Sequence, residues 1–142
     1  MNKIISIKKF LFVILLLIVS CSYVQKETIS PEIYENITPQ ASFRLIQQNK
    51  NNADFVIIDV RTPEEIENGF IESAIFLDFK QDGFAKKISK LDKSKIYLVY
   101  CKGGLRSHKA TDIMAKMGFQ YLYNMDGGFD EWKKVQLPYI KN

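Results

Sequence analysis

Two short runs constrain the fold more than anything else in this chain: "ADFVIIDV", residues 53–60, and "KIYLVY", residues 95–100. Each has the length of a strand and is almost continuously apolar. Such a run suits a strand buried on both faces, as in a parallel sheet covered by helices. The intervening segments agree. "TPQASFRLIQQN" places Thr38 at a helix N-cap and Pro39 at the first helical position, with Phe43, Leu45 and Ile46 on an apolar face. "TPEEIENGF" repeats that start at Thr62 and Pro63, with Gly69 as the expected stop. "DGFAKKISKL" spaces Phe84, Ile88 and Leu91 as a helical face, and "LRSHKATDIMAKMGF" turns Ala110, Ile113, Met114 and Met117 inward before Gly118. "IYENIT", the weaker "FIESAIFLDF" and "YLYNM" are the remaining expected strands. "GGFDEWKKVQLP" reads as a glycine turn and a short helix carrying Trp132. Strands and helices alternate, so the expected class is α/β: a small, mainly parallel sheet with helices on both faces and right-handed crossovers.

The amino terminus is different in kind. Lys3, Lys8 and Lys9 precede the apolar run "FLFVILLLIVS", which is short for a membrane span. This is the layout of a secretory leader. "IVSC" resembles the bacterial lipobox, which implies cleavage before Cys21 and lipidation of that cysteine. The expected organisation is a lipoprotein signal peptide over residues 1–20, a lipidated Cys21 and polar tether over 21–32, and one domain over 33–142. The resemblance implies a cell-envelope protein, held to a membrane by its lipid anchor with the domain outside the cytoplasm. An ordinary signal peptide cut nearby, or an uncleaved anchor, is the alternative.

The chain of 142 residues has a net charge of +4, and removal of the three leader lysines lowers it to +1. The basic balance is therefore largely a property of the leader and gives no support for nucleic-acid binding. There are two cysteines. If Cys21 carries lipid, Cys101 has no internal disulfide partner, which flags it as a reactive thiol.

Cys101 stands where the run "KIYLVY" ends and a helical pattern begins, in "CKGGLRS", residues 101–107. Ligands of open parallel sheets sit at the carboxyl ends of strands, and helix amino termini favour anions. Gly103 and Gly104 let several backbone N–H groups of the loop converge on the Cys101 sulfur, which favours the thiolate. Lys102 and Arg106 add positive charge suited to a dianion. The alternative is a structural cysteine ending a strand.

The loop resembles the C-x-x-G-x-R-S active-site loop of single-domain rhodaneses, a small-molecule sulfurtransferase family. Three further motifs stand in the family's order: "IIDVRTPEE" at 57–65, "GFIESAIFL" at 69–77 and "GGFDEW" at 127–132. The likeness runs from about Ile37 to Pro138. It implies a rhodanese-like domain in which Cys101 takes a sulfane sulfur from an anionic donor such as thiosulfate. The sulfur would be held as a persulfide, stabilised by the N–H groups of Lys102, Gly103, Gly104, Leu105 and Arg106, and passed to cyanide or a thiol. It implies no metal and no organic cofactor; a protein partner is not indicated by the sequence. In the family, the equivalents of Asp59 and Arg61 support the walls of the site, and Ser107 closes the loop motif. An equally good reading pairs Arg61 with Glu65 as a surface ion pair. His108, the only histidine, is expected on the helix surface, and Trp132 in the core. One departure is plain: Phe70 replaces the histidine of the family's "GHI".

Three other functions compete. A persulfide carrier or redox-sensing partner domain would use the same chemistry. A phosphatase or arsenate reductase-like enzyme normally has a C-x5-R loop, one residue longer than the spacing from Cys101 to Arg106. An inert binding module does not account for the cysteine.

Overall fold

A computed structural model describes residues 33–141. The leader, Cys21 and the tether lie outside the described residues. The elements in chain order are β1 (Ile33–Ile37), α1 (Pro39–Gln48), β2 (Phe55–Asp59), α2 (Pro63–Ile66), β3 (Ile75–Phe76), α3 (Phe84–Ile88), β4 (Ile96–Tyr100), α4 (Leu105–Lys116), β5 (Tyr121–Met125) and α5 (Gly128–Lys134). The five strands form one sheet in the order β1-β5-β4-β2-β3, and all four strand pairings are parallel. The two apolar runs therefore became β2 and β4, two of the three inner strands, where both faces are covered.

Alternation along β4 divides the core. Tyr97, Val99 and Cys101 face one side, packed with Ala110 and Met114 of α4 and with Ile88 of α3. Leu98 and Tyr100 face the other, with Met125, Phe129 and Trp132. Phe43 of α1 meets the Trp132 ring edge-on at 6.0 Å, and the Trp132 indole N–H donates to the carbonyl of Pro138 at 3.0 Å. Trp132 is thus a core residue whose one polar atom is satisfied.

The cap at Thr38 forms as the sequence implies: its hydroxyl accepts the N–H of Ala41. Three segments are shorter than expected, the first being α3, which stops at Ile88 and leaves Leu91 beyond it. The second Thr-Pro start yields a single helical turn, and its capping device is the Glu65 carboxylate, which accepts the Thr62 N–H at 3.0 Å. The expected strand from Phe70 pairs in parallel only at Ile75 and Phe76. Ile71 and Ala74 close a turn, with Ser73 in a left-handed conformation. Phe70 instead makes an antiparallel bridge to Ile140. Among the described residues no helix is long and apolar enough to cross a membrane.

Candidate active site

Cys101 follows the last residue of β4, at the carboxyl edge of the sheet, and α4 starts at Leu105. The Gly104 N–H donates to the Cys101 sulfur at 3.1 Å. The Ser107 hydroxyl lies 3.5 Å from the same sulfur and 3.0 Å from the Gly104 carbonyl. One hydroxyl proton serves either acceptor, so Ser107 can turn toward the sulfur when it carries charge. Cys101 is buried, at 1% exposure, yet it faces donors and the positive end of a twelve-residue helix as well as apolar neighbours. That environment differs from the purely apolar lining of an inert structural thiol.

The two loop glycines have different jobs. Gly104 has φ +92, and a Cβ there would come within 3.0 Å of the Gly127 nitrogen. Both conformation and space demand glycine, and its N–H is the one aimed at sulfur. Gly103 is outside the left-handed region, and a Cβ there would meet nothing within 4 Å. Its neighbourhood is the open side of the loop. The curl expected of both glycines is thus a requirement for Gly104.

A second element holds the loop from behind. The Phe129 N–H donates to the Cys101 carbonyl at 2.8 Å, and the Asp130 N–H to the Lys102 carbonyl at 2.9 Å. These bonds tie down the loop carbonyls, and of the loop N–H groups expected to converge on the sulfur it is that of Gly104 that bonds it. A Cβ on Gly128 would lie 2.4 Å from the Cys101 carbonyl oxygen and 2.6 Å from that of Lys102. The "GG" of "GGFDEW" is therefore the close-packed backstop of the cysteine loop. The sequence marks these glycines but does not say what they touch.

Arg106 does not extend into open space. Its two terminal nitrogens grip both carboxylate oxygens of Glu65, each at 2.7 Å. The pair is partly shielded, at 18% and 26% side-chain exposure. Hydrogen bonding from Arg106 holds the Glu65 carboxyl down to about 2 against the cost of its own burial, helped by the Thr62 N–H. Glu65 in turn raises Arg106, as do the charges of Cys101 and Asp78. Glu65 was a capping and ion-pair candidate by sequence. Its partner 41 positions away was not legible there.

The Glu65 carboxylate is thus not the partner of Arg61, which corrects one reading of "DVRTPEE". Arg61 is buried against Asp59, with its terminal nitrogen 2.6 Å from the carboxylate. It also donates to the carbonyls of Glu65 at 3.1 Å and Gly69 at 2.8 Å. Its guanidinium lies 4.1 Å from the centre of the Phe129 ring. Burial opposes its charge, and the bonds and charge of Asp59 more than offset this, so it is held firmly protonated. Tyr100 completes the cluster. Its hydroxyl accepts the Ile71 N–H at 3.1 Å, and burial, then the charge of Asp59, push its ionisation up. Asp59 and Arg61 therefore brace three loops at the carboxyl edge: the segment after β2, the Gly69 turn and the start of α5.

The remaining candidates are placed as follows. Lys102 and Leu105 are exposed on the loop, Leu105 at 67%. The His108 ring meets Asn36 at 3.3 Å and Asp112 at 3.9 Å, and is exposed on α4. Phe70, at the family's histidine position, packs edge-on against Phe76 at 5.1 Å. A cavity of about 390 Å³, lined by Phe43, Ile57, Trp132 and Tyr139, is on the Leu98 face of the sheet; no residue of the 101–107 loop lines it.

Known proteins match this arrangement. The model of the Rhodanese-like domain matches residues 42–135. A thiosulfate sulfurtransferase of Coxiella burnetii is 31% identical over 101 residues, spanning 71% of this chain and 89% of that protein. The polysulfide-sulfur transferase homodimer of Wolinella succinogenes is 28% identical. It superposes with a TM-score of 0.63, over 75% of this chain and 78% of that one. A rhodanese-related protein of Thermoplasma volcanium, at 24% identity, shares the fold with a TM-score of 0.64, over 77% of this chain and all of its own. A match over most of the described domain, with the cysteine loop, its glycine backstop and the buried Asp–Arg brace in the order of the motifs, places the chain in the rhodanese-like family.

Proposed function

We propose that this protein is a sulfurtransferase that carries sulfane sulfur as a persulfide on Cys101. The observation that carries the reading is the Gly104 N–H at 3.1 Å from the buried sulfur, at the amino terminus of α4. The Cys101 thiolate attacks the outer sulfur of a donor such as thiosulfate. The new S–S bond forms as the old one breaks, and the electron pair leaves with sulfite. The persulfide anion that remains extends one S–S bond, about 2.05 Å, beyond the original sulfur. An acceptor such as cyanide attacks that outer sulfur, leaves as thiocyanate and returns the electron pair to Cys101. The Gly104 N–H and the Ser107 hydroxyl favour the thiolate that attacks the donor and that is restored when thiocyanate leaves. Each half-reaction is complete without the other substrate, which gives ping-pong kinetics.

The test mixes the domain with thiosulfate and cyanide and measures thiocyanate, with mass spectrometry of the protein after donor alone. Thiocyanate formation, and one added sulfur on Cys101, both absent from Cys101→Ser, are expected. A wild-type domain that forms neither product refutes the reading. A persulfide that forms but passes only to a protein thiol supports the carrier reading. Hydrolysis of p-nitrophenyl phosphate without persulfide formation supports a phosphatase.

We further propose that the chain is an envelope lipoprotein anchored through Cys21. The support is the leader and lipobox-like "IVSC". Metabolic labelling with palmitate reads it directly, and an unlabelled wild-type protein overturns it.

A further inference from the structure

The loop's cationic residues suit a dianion when read in sequence, but the fold pairs Arg106 with a carboxylate. We propose that Glu65 is a specificity-determining residue: by holding Arg106 in a two-point ion pair, it cancels the cation at the mouth and favours monoanionic persulfide donors over dianionic thiosulfate. The inference rests on the sulfurtransferase reading and names its donor class.

Three observations carry it. Both guanidinium nitrogens that reach Glu65 do so at 2.7 Å, one on each oxygen. This geometry commits the Nη1/Nη2 edge of the guanidinium to a carboxylate and neutralises its charge. Glu65 is itself fixed from its own element by the Thr62 N–H at 3.0 Å, so the carboxylate is oriented whether or not a donor is present. Arg61, the other arginine of the motifs, is committed to Asp59 and to two carbonyls. Lys102 is then the loop's remaining cation, on its exposed side. Thiosulfate presents two charges, and its sulfonate oxygens seek a bidentate cation. A persulfide anion R–S–S⁻ with an uncharged R carries one charge, on the outer sulfur that approaches the Gly104 N–H and the Ser107 hydroxyl at Cys101.

The transfer balances with either donor. With a persulfide, the Cys101 thiolate attacks the outer sulfur and the donor S–S bond breaks. The thiolate R–S⁻ departs with the electron pair, and Cys101 holds the new persulfide anion. Neither side needs an external oxidant or reductant.

The experiment compares steady-state sulfur transfer to cyanide from 2-hydroxyethyl persulfide, whose single charge is on the outer sulfur, and from thiosulfate, over a range of salt concentrations. The proteins are wild type, Glu65→Gln, and the double variant Glu65→Gln/Arg106→Gln. Glutamine retains an oxygen for the Thr62 N–H, so the helix start is preserved. Wild type should prefer the persulfide in kcat/KM. Glu65→Gln should lower the thiosulfate KM about tenfold or more, with kcat nearly unchanged and the persulfide KM little moved. The double variant, again neutral at the mouth, should return to the wild-type preference. If Glu65→Gln instead weakens both donors equally, or lowers kcat alone, Glu65 only shapes the loop and the inference fails. It also fails if wild type prefers thiosulfate. If no wild-type persulfide forms from either donor, the sulfurtransferase reading itself is lost.

Discussion

Replacing Gly128 by alanine tests the backstop of the cysteine loop. Gly128 has φ +57, and its missing Cβ would stand 2.4 Å from the Cys101 carbonyl oxygen and 2.6 Å from that of Lys102. Both contacts are with backbone, so neither can be relieved by turning a side chain. Adopting the left-handed conformation costs a non-glycine residue about 1–2 kcal/mol. Moving the loop away loosens two hydrogen bonds, from Phe129 and Asp130, at about 1 kcal/mol each. The total is about 3–4 kcal/mol, which lowers the melting temperature of a domain of this size by more than about 10 °C. Gly118 is the matched control: φ is +88, but a Cβ there would meet nothing within 4 Å. Gly118→Ala should cost only the conformational part. Urea unfolding of the two variants beside wild type measures the difference. Thiosulfate-to-cyanide transfer by Gly128→Ala, assayed well below its melting point, should fall at least tenfold, because displaced carbonyls misdirect the Gly104 N–H. Equal destabilisation by the two alanines, or full activity in Gly128→Ala, would refute the argument that this contact positions the loop.

Other perturbations follow from the same geometry. Asp59→Asn keeps the shape but leaves the buried Arg61 cation without its counter-charge, and should destabilise by about 3–5 kcal/mol in thermal or urea unfolding. The Glu65–Arg106 pair sets an acid limit. The folded Glu65 ionises at about 2, below its ordinary value of 4.5, so its stabilisation is complete above about pH 4.5 and is lost as the pH falls toward 2. Discounted for its partial exposure, the pair contributes about 1 kcal/mol, and the stability gap between wild type and Glu65→Gln should close between pH 5 and pH 2. His108→Ala should leave sulfur transfer within about twofold of wild type between pH 6 and 8, because its ring faces Asn36 and Asp112. A lost activity or a shifted pH profile in that variant would assign the histidine a role in proton transfer. Gly103→Ala should retain activity, since its Cβ enters open space, whereas Gly104→Ala should lose it.

Much of this protein was legible before any coordinates. Runs such as "FVIID" and "IYLVY" are apolar at consecutive positions because both faces of an inner parallel strand are covered, and that chemistry is local to the sequence. The helix starts at Thr38 and Thr62, the position of Cys101 between strand and helix, and the burial of Trp132 are legible for the same reason. The short edge strand was less so. "FIESAIFLDF" has strand composition throughout, but pairing stops at two residues, because the Phe70–Ile140 bridge and the turn at Ser73 claim the rest. Composition does not record which partner wins.

The loop shows where tertiary structure alone decides. The sequence determined that a thiol would stand at a helix start among glycines and cations, since those properties belong to consecutive residues. It could not assign partners to the charges. Arg61 neighbours both Asp59 and Glu65 in the chain, and either pairing satisfies the spacing. The fold gave Arg61 to Asp59 in the interior and brought Arg106 across 41 positions to Glu65. Nor could it separate Gly103 from Gly104, which differ in what lies opposite them and in backbone conformation. An ion pair and a close approach are both relations between distant segments, and their energies depend on distances that exist only when the chain is folded.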